Sequence, residues 1–514
     1  MWDPEYCDEL KRRREKMNAG GGTDKLKIQH EKGNLTARER IELLVEKGSF
    51  VEIGGLQISD VPLEGAHGKE YPGDGVVTGY AQIDGRQVFI SSQDFTVMGG
   101  SISKGNSRKI CQIIQLAITH KAPYISLNDS AGARLDEGIY AMDGSAAILR
   151  ANVMASGVIP QIAVILGPCV GVSSYSPALM DFVIMQKTNG QMFLTGPRVI
   201  EAATGAKISA EELGGYKVHM EKSGLAHFVY EDDKSCLYKV RELLDYIPQN
   251  CDEQPFWKEY PLADYSYRLQ ELVPDNGRKA YDIRSVIFMI ADEARFMEVQ
   301  RDYAKNIVIG FMRVGGESVG VVANQPKEMA GALDGKASEK AARFIRFCDA
   351  FRIPLLSIVD VPGYMPGTDQ EGNGIIRRGA KLLYAFAEAS VPRITLIVRK
   401  AYGGAYVAMN SKNLGADYVF AWPIAQIAVM GSEGAVSVLK RNEIKKAADP
   451  EAVKEQFKKE YEKTYYNPFA AASIGMIDEV ILPEETRQRI LQAIATFRNK
   501  EIPGPTRRHG SMPL

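Results

Sequence analysis

The sequence predicts an α/β fold built twice in tandem, and three observations carry that expectation. The first is an internal repeat: GRQVFISSQDFTVMGG from Gly85 is matched by GESVGVVANQPKEMAG from Gly316, at an offset of 231 residues. The same offset carries Ser107 to Ser338, Lys109 to Lys340, Pro123 to Pro354 and Asp129 to Asp360. Further along, Pro160 meets Pro392 and Gly171 meets Gly403 at an offset of 232. The second is the apolar period. Ile110, Ile113, Ile114 and Ala117 lie at i, i+3, i+4, i+7, as do Ala341, Phe344, Ile345 and Cys348, which gives each copy one buried stripe of an amphipathic helix. The third follows from what comes next. Each helix runs through a proline into a short apolar segment, 124–127 and 355–359, and a second segment follows at 162–166 and 394–398, as in strands buried on both faces.

At 514 residues the chain exceeds one ordinary core. The repeat places a first domain at 1–250 and a second at 275–514. The stretch 247–279, with prolines, aromatics and charges but no clear period, reads as the linker. Residues 11–50, which include LTARERIELLVEKGSF, read as a helical N-terminal arm that packs on a neighbouring surface. The tail 503–514 reads as a surface or subunit-contact segment.

With 63 basic and 64 acidic residues the net charge is −1, which gives no reason to expect a nucleic acid partner. The N-terminus is charged and lacks the apolar core of a secretory signal. The most apolar stretches, such as 158–172, are broken by proline and glycine and fall short of a membrane span of about 20 residues. A cytoplasmic protein is expected. Its six cysteines show no close pairing, and with the six histidines they make no metal-ligand spacing, so no metal is expected.

Chemistry is expected at four glycine-bearing turns. The first strand of each copy ends in NDSAGARLDEG from Asn128 or VDVPGYMPGTDQEGNG from Val359. The second ends in GPCVGVSSYSPALMDF from Gly167 or KAYGGAYVAMNSKNLG from Lys400. Glycine lets the backbone turn sharply, so that an N–H at the start of the next helix points outward. Two such N–H groups, one from each turn, can grip a carbonyl oxygen as it gains negative charge, which makes one oxyanion hole per copy. After Gly171 and Gly404 the helices open with apolar and hydroxyl residues, without the acid or base that hydration of a double bond needs. There is no G-x-S-x-G elbow, and no histidine lies in either pair of turns, so nucleophilic acyl transfer is poorly supported. GALDGKA at Gly331 is one residue short of a phosphate-binding loop and has Ala337 in place of the magnesium ligand.

The four turn sequences resemble the carboxyltransferase subunits of biotin-dependent acyl-CoA carboxylases and decarboxylases. These include the β chain of propionyl-CoA carboxylase, the large transcarboxylase subunit and the α subunit of methylmalonyl-CoA decarboxylase. The likeness runs from MNAGGG and TARERIELL through SQDFTVMGGS to the closing RRHGSMPL. It implies two tandem crotonase-like domains, the N-terminal one binding acyl-CoA and the C-terminal one binding biotin brought by a carrier protein. It further implies a hexamer with sites at a dimer contact, and a separate biotin carboxylase or membrane decarboxylase subunit. The amides of Gly171 and Val172, helped by Gly132 and Ala133, are then expected to stabilise an enolate. Those of Gly404 and Ala405 would bind the ureido oxygen of biotin, whose nitrogen would exchange the α proton. Gly363, Tyr364, Gly403 and Tyr406 are expected to line the biotin side, with Tyr364 and Tyr402 shaping the pocket or simply packing. Arg134 has two readings, a contact to a CoA phosphate or an ion pair with Asp136 or Glu137.

Departures from the family pattern stand at SAGAR, at CVGVSS, which puts Val172 in a hole, and at Val407, where the family senses acyl length. The acyl chain and the direction of transfer therefore stay open. The alternatives are the same subunit in a sodium-pumping decarboxylase, a crotonase-type hydratase or hydrolase, or a non-catalytic scaffold.

Overall fold

The computed structural model describes residues 3–59, 61, 72–260, 266–500 and 508–513. The chain divides into two compact units, 1–254 and 255–514.

In the first unit, strands β1 (Val51–Glu52), β2 (Val76–Ile83), β3 (Arg86–Gln93), β4 (Tyr124–Ser130), β5 (Gln161–Val170), β6 (Phe182–Gln186) and β8 (Phe228–Tyr230) form a sheet in that order. β7 (Gln191–Phe193) pairs with the far end of β5. The second unit repeats this order with β9 (Phe296–Val299), β10 (Ile307–Val314), β11 (Glu317–Asn324), β12 (Leu355–Val361), β13 (Arg393–Tyr402), β14 (Tyr418–Ala421) and β16 (Glu479–Val480). There β15 (Gln426–Ala428) pairs with β13 as β7 does with β5. In each sheet the first strands pair antiparallel as a hairpin and the rest run parallel. The apolar segments predicted as buried strands are the buried β4, β5, β12 and β13.

The amphipathic stripes also lie where expected. Ile110, Ile113, Ile114 and Ala117 are buried in the helix Lys104–His120, and Ala341, Phe344, Ile345 and Cys348 in the helix Gly335–Ala350. Both helices start on a side-chain cap at the same repeat position, Ser103 and Asp334. One turn in, Lys109 donates through Nζ to Gly73 O (2.8 Å) and Val76 O (2.5 Å), while Lys340 donates to Tyr303 O (2.7 Å) and Ile307 O (2.8 Å). Each buried ammonium therefore pins the start of its sheet to its helix.

The N-terminal arm is three helices: α1 (Pro4–Asn18), α2 (Thr23–Glu31) and α3 (Ala37–Leu44). α1 buries no residue, whereas α3 buries Ala37, Arg40, Ile41 and Leu44. The glycines between α1 and α2 break the helix by close approach, since a Cβ on Gly21 would lie 1.9 Å from Thr96 O.

The segment expected to be a linker is anchored where it is described. Lys258 N donates to Gly316 O, Trp257 Nε1 to Gly315 O, and the carbonyls of Pro274, Asn276 and Lys279 receive the Arg399 guanidinium. It lacks a sequence period because it is held by scattered contacts, these backbone groups together with Leu269 and Val273 buried in the apolar core of the second unit. Residues 261–265 of that stretch, and 503–507 and 514 of the tail, lie outside the described residues.

Candidate active site

The first turn of copy one leaves β4 at Ser130. Ala131 N donates to Gly99 O (2.9 Å), and the pairs Ile102 N to Gly132 O and Arg134 N to Ile102 O, each 2.8 Å, bracket Ala133. The Ala133 N–H finds no acceptor among the described residues. Gly132 has φ +100°, and a Cβ there would sit 2.9 Å from Val170 O. Only glycine lets this turn lie against the second one. The second turn begins at Gly171 (φ +64°), which opens the helical turn Gly171–Ser174. The leading N–H groups of a helical turn have no partner inside it. That of Val172 has none among the described residues, whereas Gly171 N continues the β5–β7 ladder.

Copy two repeats this. Leu333 N to Gly363 O (3.1 Å) and Met365 N to Leu333 O (2.7 Å) bracket Tyr364. Gly403 (φ +56°) opens the helix Gly403–Ala408, and a Cβ there would lie 2.8 Å from Val429 O. The counterparts of Gly171 and Val172 are thus Gly403 and Gly404, so the expected pair Gly404 and Ala405 stands one residue further along. A Cβ on Gly404 would meet nothing within 4 Å, which shows how a valine fits at position 172.

The surroundings differ. Val172 lines a cavity of about 20 Å³ together with Gln93, Ile102, Ile110 and Ile148, room for about one water. Beside Gly403 and Gly404 lies a cavity of about 790 Å³, lined by Tyr406, Val407, Lys412, Val429 and Ile474 among others. The buried Tyr406 hydroxyl has no partner among the described residues, and burial pushes it up to about 12, so it is a neutral donor. Burial likewise pushes the Cys169 thiol up to about 12, which removes it as a nucleophile.

Of the two readings of Arg134, the geometry is that of the ion pair with Glu137. Arg134 is 2 % exposed, with Nη1 on Asp74 (2.5 Å) and Glu137 (3.1 Å) and Nε on Ser101 (3.1 Å), turned inward beneath its own turn. Its ion pair is with Glu137 and Asp74, not with Asp136. Tyr364 packs its ring against Gly379, and Tyr402 donates to Gln426 Oε1 (2.6 Å) and meets the Tyr466 hydroxyl.

Sequence reasoning missed the residues beneath the turns. Asp129 pairs with Arg40 and Asp360 with Arg399, all four buried. The repeat flagged both aspartates, but nothing in it marked either arginine.

A carboxyl transferase domain matches residues 28–512. The chain belongs to the carboxyl transferase family. This carboxyltransferase is 49 % identical to the propionyl-CoA carboxylase β chain of Cereibacter sphaeroides, over 99 % of this chain and 100 % of the relative. It is 48 % identical to the methylmalonyl-CoA decarboxylase α subunit of Propionigenium modestum, over 98 % of each. The transcarboxylase 12S structure, a hexamer assembly solved with methylmalonyl-coenzyme A bound, superposes on the carboxyltransferase with a TM-score of 0.97 at 46 % identity, covering 99 % of this chain and 98 % of that one. The fold is therefore two tandem crotonase-like α/β domains, as the turns implied.

Proposed function

We propose that this enzyme moves a carboxyl group between biotin, carried by a partner protein, and the α carbon of a short acyl-CoA of the propionyl/methylmalonyl type. The observation that carries this reading is the N–H groups of Ala133 and Val172 in the first copy and of Tyr364 and Gly404 in the second, which have no partner among the described residues. In the first unit, Gly171 and Val172, with Ala133, face the developing enolate oxygen of the thioester. In the second, Gly403, Gly404 and Ala405 hold the ureido oxygen of biotin, with Tyr406 as a further donor. The donor set fits a urea, and the cavity beside Gly404 and Val407 has space for a bicyclic ring. Biotin supplies the carboxyl carrier and a ureido nitrogen that exchanges the α proton. The chain's part is electrostatic: preorganised donors aimed at growing charge, worth roughly 10²- to 10³-fold each.

The active assembly is a hexamer with sites at a dimer contact, working with a biotin carrier protein in the cytoplasm. Similar identity to a carboxylase and to a decarboxylase leaves two directions of flux. The partner is accordingly a biotin carboxylase or the membrane subunit of a sodium-pumping decarboxylase.

Purified chain given methylmalonyl-CoA and free biotin is expected to release propionyl-CoA in a biotin-dependent way. No turnover of methylmalonyl-CoA or malonyl-CoA would sink the proposal, and hydration of crotonyl-CoA would favour the hydratase instead.

A further inference from the structure

We infer that Arg40 and Arg399 are positioning residues for the two halves of the site, each holding the strand bulge from which one pair of oxyanion turns is aimed. This rests on the carboxyltransferase reading above. The β4–β5 ladder pairs Asn128 with Ile165 and then Ser130 with Cys169, so β5 carries extra residues opposite Asp129. The β12–β13 ladder does the same at Asp360, stepping from Val359 with Ile397 to Val361 with Ala401. A bulge of this kind re-aims the chain that follows it. Here that chain is, in both copies, the pair of turns bearing the free N–H groups.

Each bulge aspartate is bonded to a fully buried guanidinium. Asp129 Oδ2 accepts from Arg40 Nη1 (2.8 Å) and Gln29 Nε2 (3.0 Å), while Arg40 also donates to Asp233 Oδ2 (2.8 Å) and to Leu166 O on β5 (3.2 Å). Arg40 thereby ties β4 to β5 just before their turns. Asp360 Oδ2 accepts from Arg399 Nε and the Tyr281 hydroxyl, both at 3.0 Å, and Oδ1 accepts from Lys400 N (3.1 Å). Arg399 lies over the Tyr281 ring at 4.9 Å.

The two arginines come from different places. Arg399 is on β13, inside the repeat, whereas Arg40 is on α3, outside it. The repeat counterpart of Arg399 is Gly167, where a Cβ would meet Asp129 Oδ1 at 2.1 Å. No side chain fits there, so the guanidinium has to enter from another element. The chain thus keeps the Asp–Arg pair although the residue supplying it has changed. General core stability gives no reason for that pair to recur at the one bulge preceding the donors.

The test is steady-state decarboxylation of methylmalonyl-CoA by the full chain with free biotin, measuring KM for each substrate separately. Arg40→Lys is expected to raise KM for methylmalonyl-CoA about tenfold or more with KM for biotin within twofold, and Arg399→Lys to do the reverse. Loss of activity in proportion to folded protein with both KM values unchanged would overturn the inference, as would a shift of the wrong KM. Gln29→Met and Tyr281→Phe each remove one neutral hydrogen bond to the aspartates. They give the same segregated shifts at two- to threefold should the lysine variants not fold. A wild-type chain inert toward methylmalonyl-CoA would overturn the carboxyltransferase reading instead. The positioning roles are then read by binding of propionyl-CoA alone, which Arg40→Lys weakens and Arg399→Lys does not.

Discussion

Gly132 is the residue at which one methyl group decides the site. A Cβ there meets Val170 O at 2.9 Å, and φ +100° is costly for any other residue. Gly132→Ala is expected to push the two turns of the first copy apart and lower kcat/KM for methylmalonyl-CoA by roughly 10²-fold, the scale of one lost oxyanion donor. Steady-state kinetics at saturating biotin checks this, and an effect under twofold would remove Gly132 from the machinery. Lys340 offers a different kind of test. Burial pulls its ammonium down to about 7, Glu298 opposing. The unfolded chain therefore binds more protons than the folded one from about pH 7 up to the ordinary lysine pKa of about 10.4. The sign follows: this group's contribution to stability grows as pH rises through that window, by up to about 1.4 kcal/mol per pH unit. Lys340→Met leaves the Tyr303 and Ile307 carbonyls unpaired, and its deficit in denaturation midpoint is expected to widen between pH 7 and 10. A deficit that is flat with pH would contradict the depressed amine.

Among the elements, α3 is where stability and site geometry meet. Thr36 and Glu39 form a reciprocal capping box at its start, Thr36 N donating to Glu39 Oε2 (2.8 Å) and Glu39 N to Thr36 Oγ1 (3.3 Å). Arg40 follows directly. Thr36→Ala is expected to cost about 1 kcal/mol. The readout is a lowered thermal midpoint, and an unchanged midpoint would show that packing of Ile41 and Leu44 fixes the helix alone. The capping pattern and the helical character of this arm are visible in LTARERIELL, but the destination of Arg40 is not. A buried arginine is legible only through its partners, and Asp129 and Asp233 lie 89 and 193 residues away. The four turns were legible because they are repeated: the offset of 231 that aligns Asp129 with Asp360 also aligns the isolated bridges Ile102–Ala133 and Leu333–Tyr364. The anchoring within the segment 247–279 was not legible, because carbonyls that accept from Arg399 leave no mark in side-chain pattern. Arg134 kept two readings because a motif fixes the position of a residue but not the direction in which its side chain turns; the Glu137 ion pair is the one the geometry holds.

Among the described residues each unit has an apolar cluster of its own, one including Phe89, Ile113, Ile165 and Met185, the other Val286, Met312, Trp422 and Ile490. Of three tryptophans, Trp2 lies outside the described residues, and Trp257 and Trp422 both belong to the second unit. Trp422 is 1 % exposed and donates to Thr486 Oγ1 at 2.9 Å, so its emission reports on the second core. Far-UV circular dichroism reports on both. If each copy unfolds on its own core, urea titration of Thr36→Ala shifts an early component of the dichroism curve and leaves the fluorescence midpoint where it is in the wild type. The size of the dichroism shift is set by about 1 kcal/mol over the denaturant dependence of a single unit, which is steep enough at this length to resolve. A fluorescence midpoint moving by the same amount would show that a cap in the first copy is felt by the core of the second. The two copies would then unfold as one cooperative body, and the segregation of substrate effects by copy would have to arise from local geometry alone.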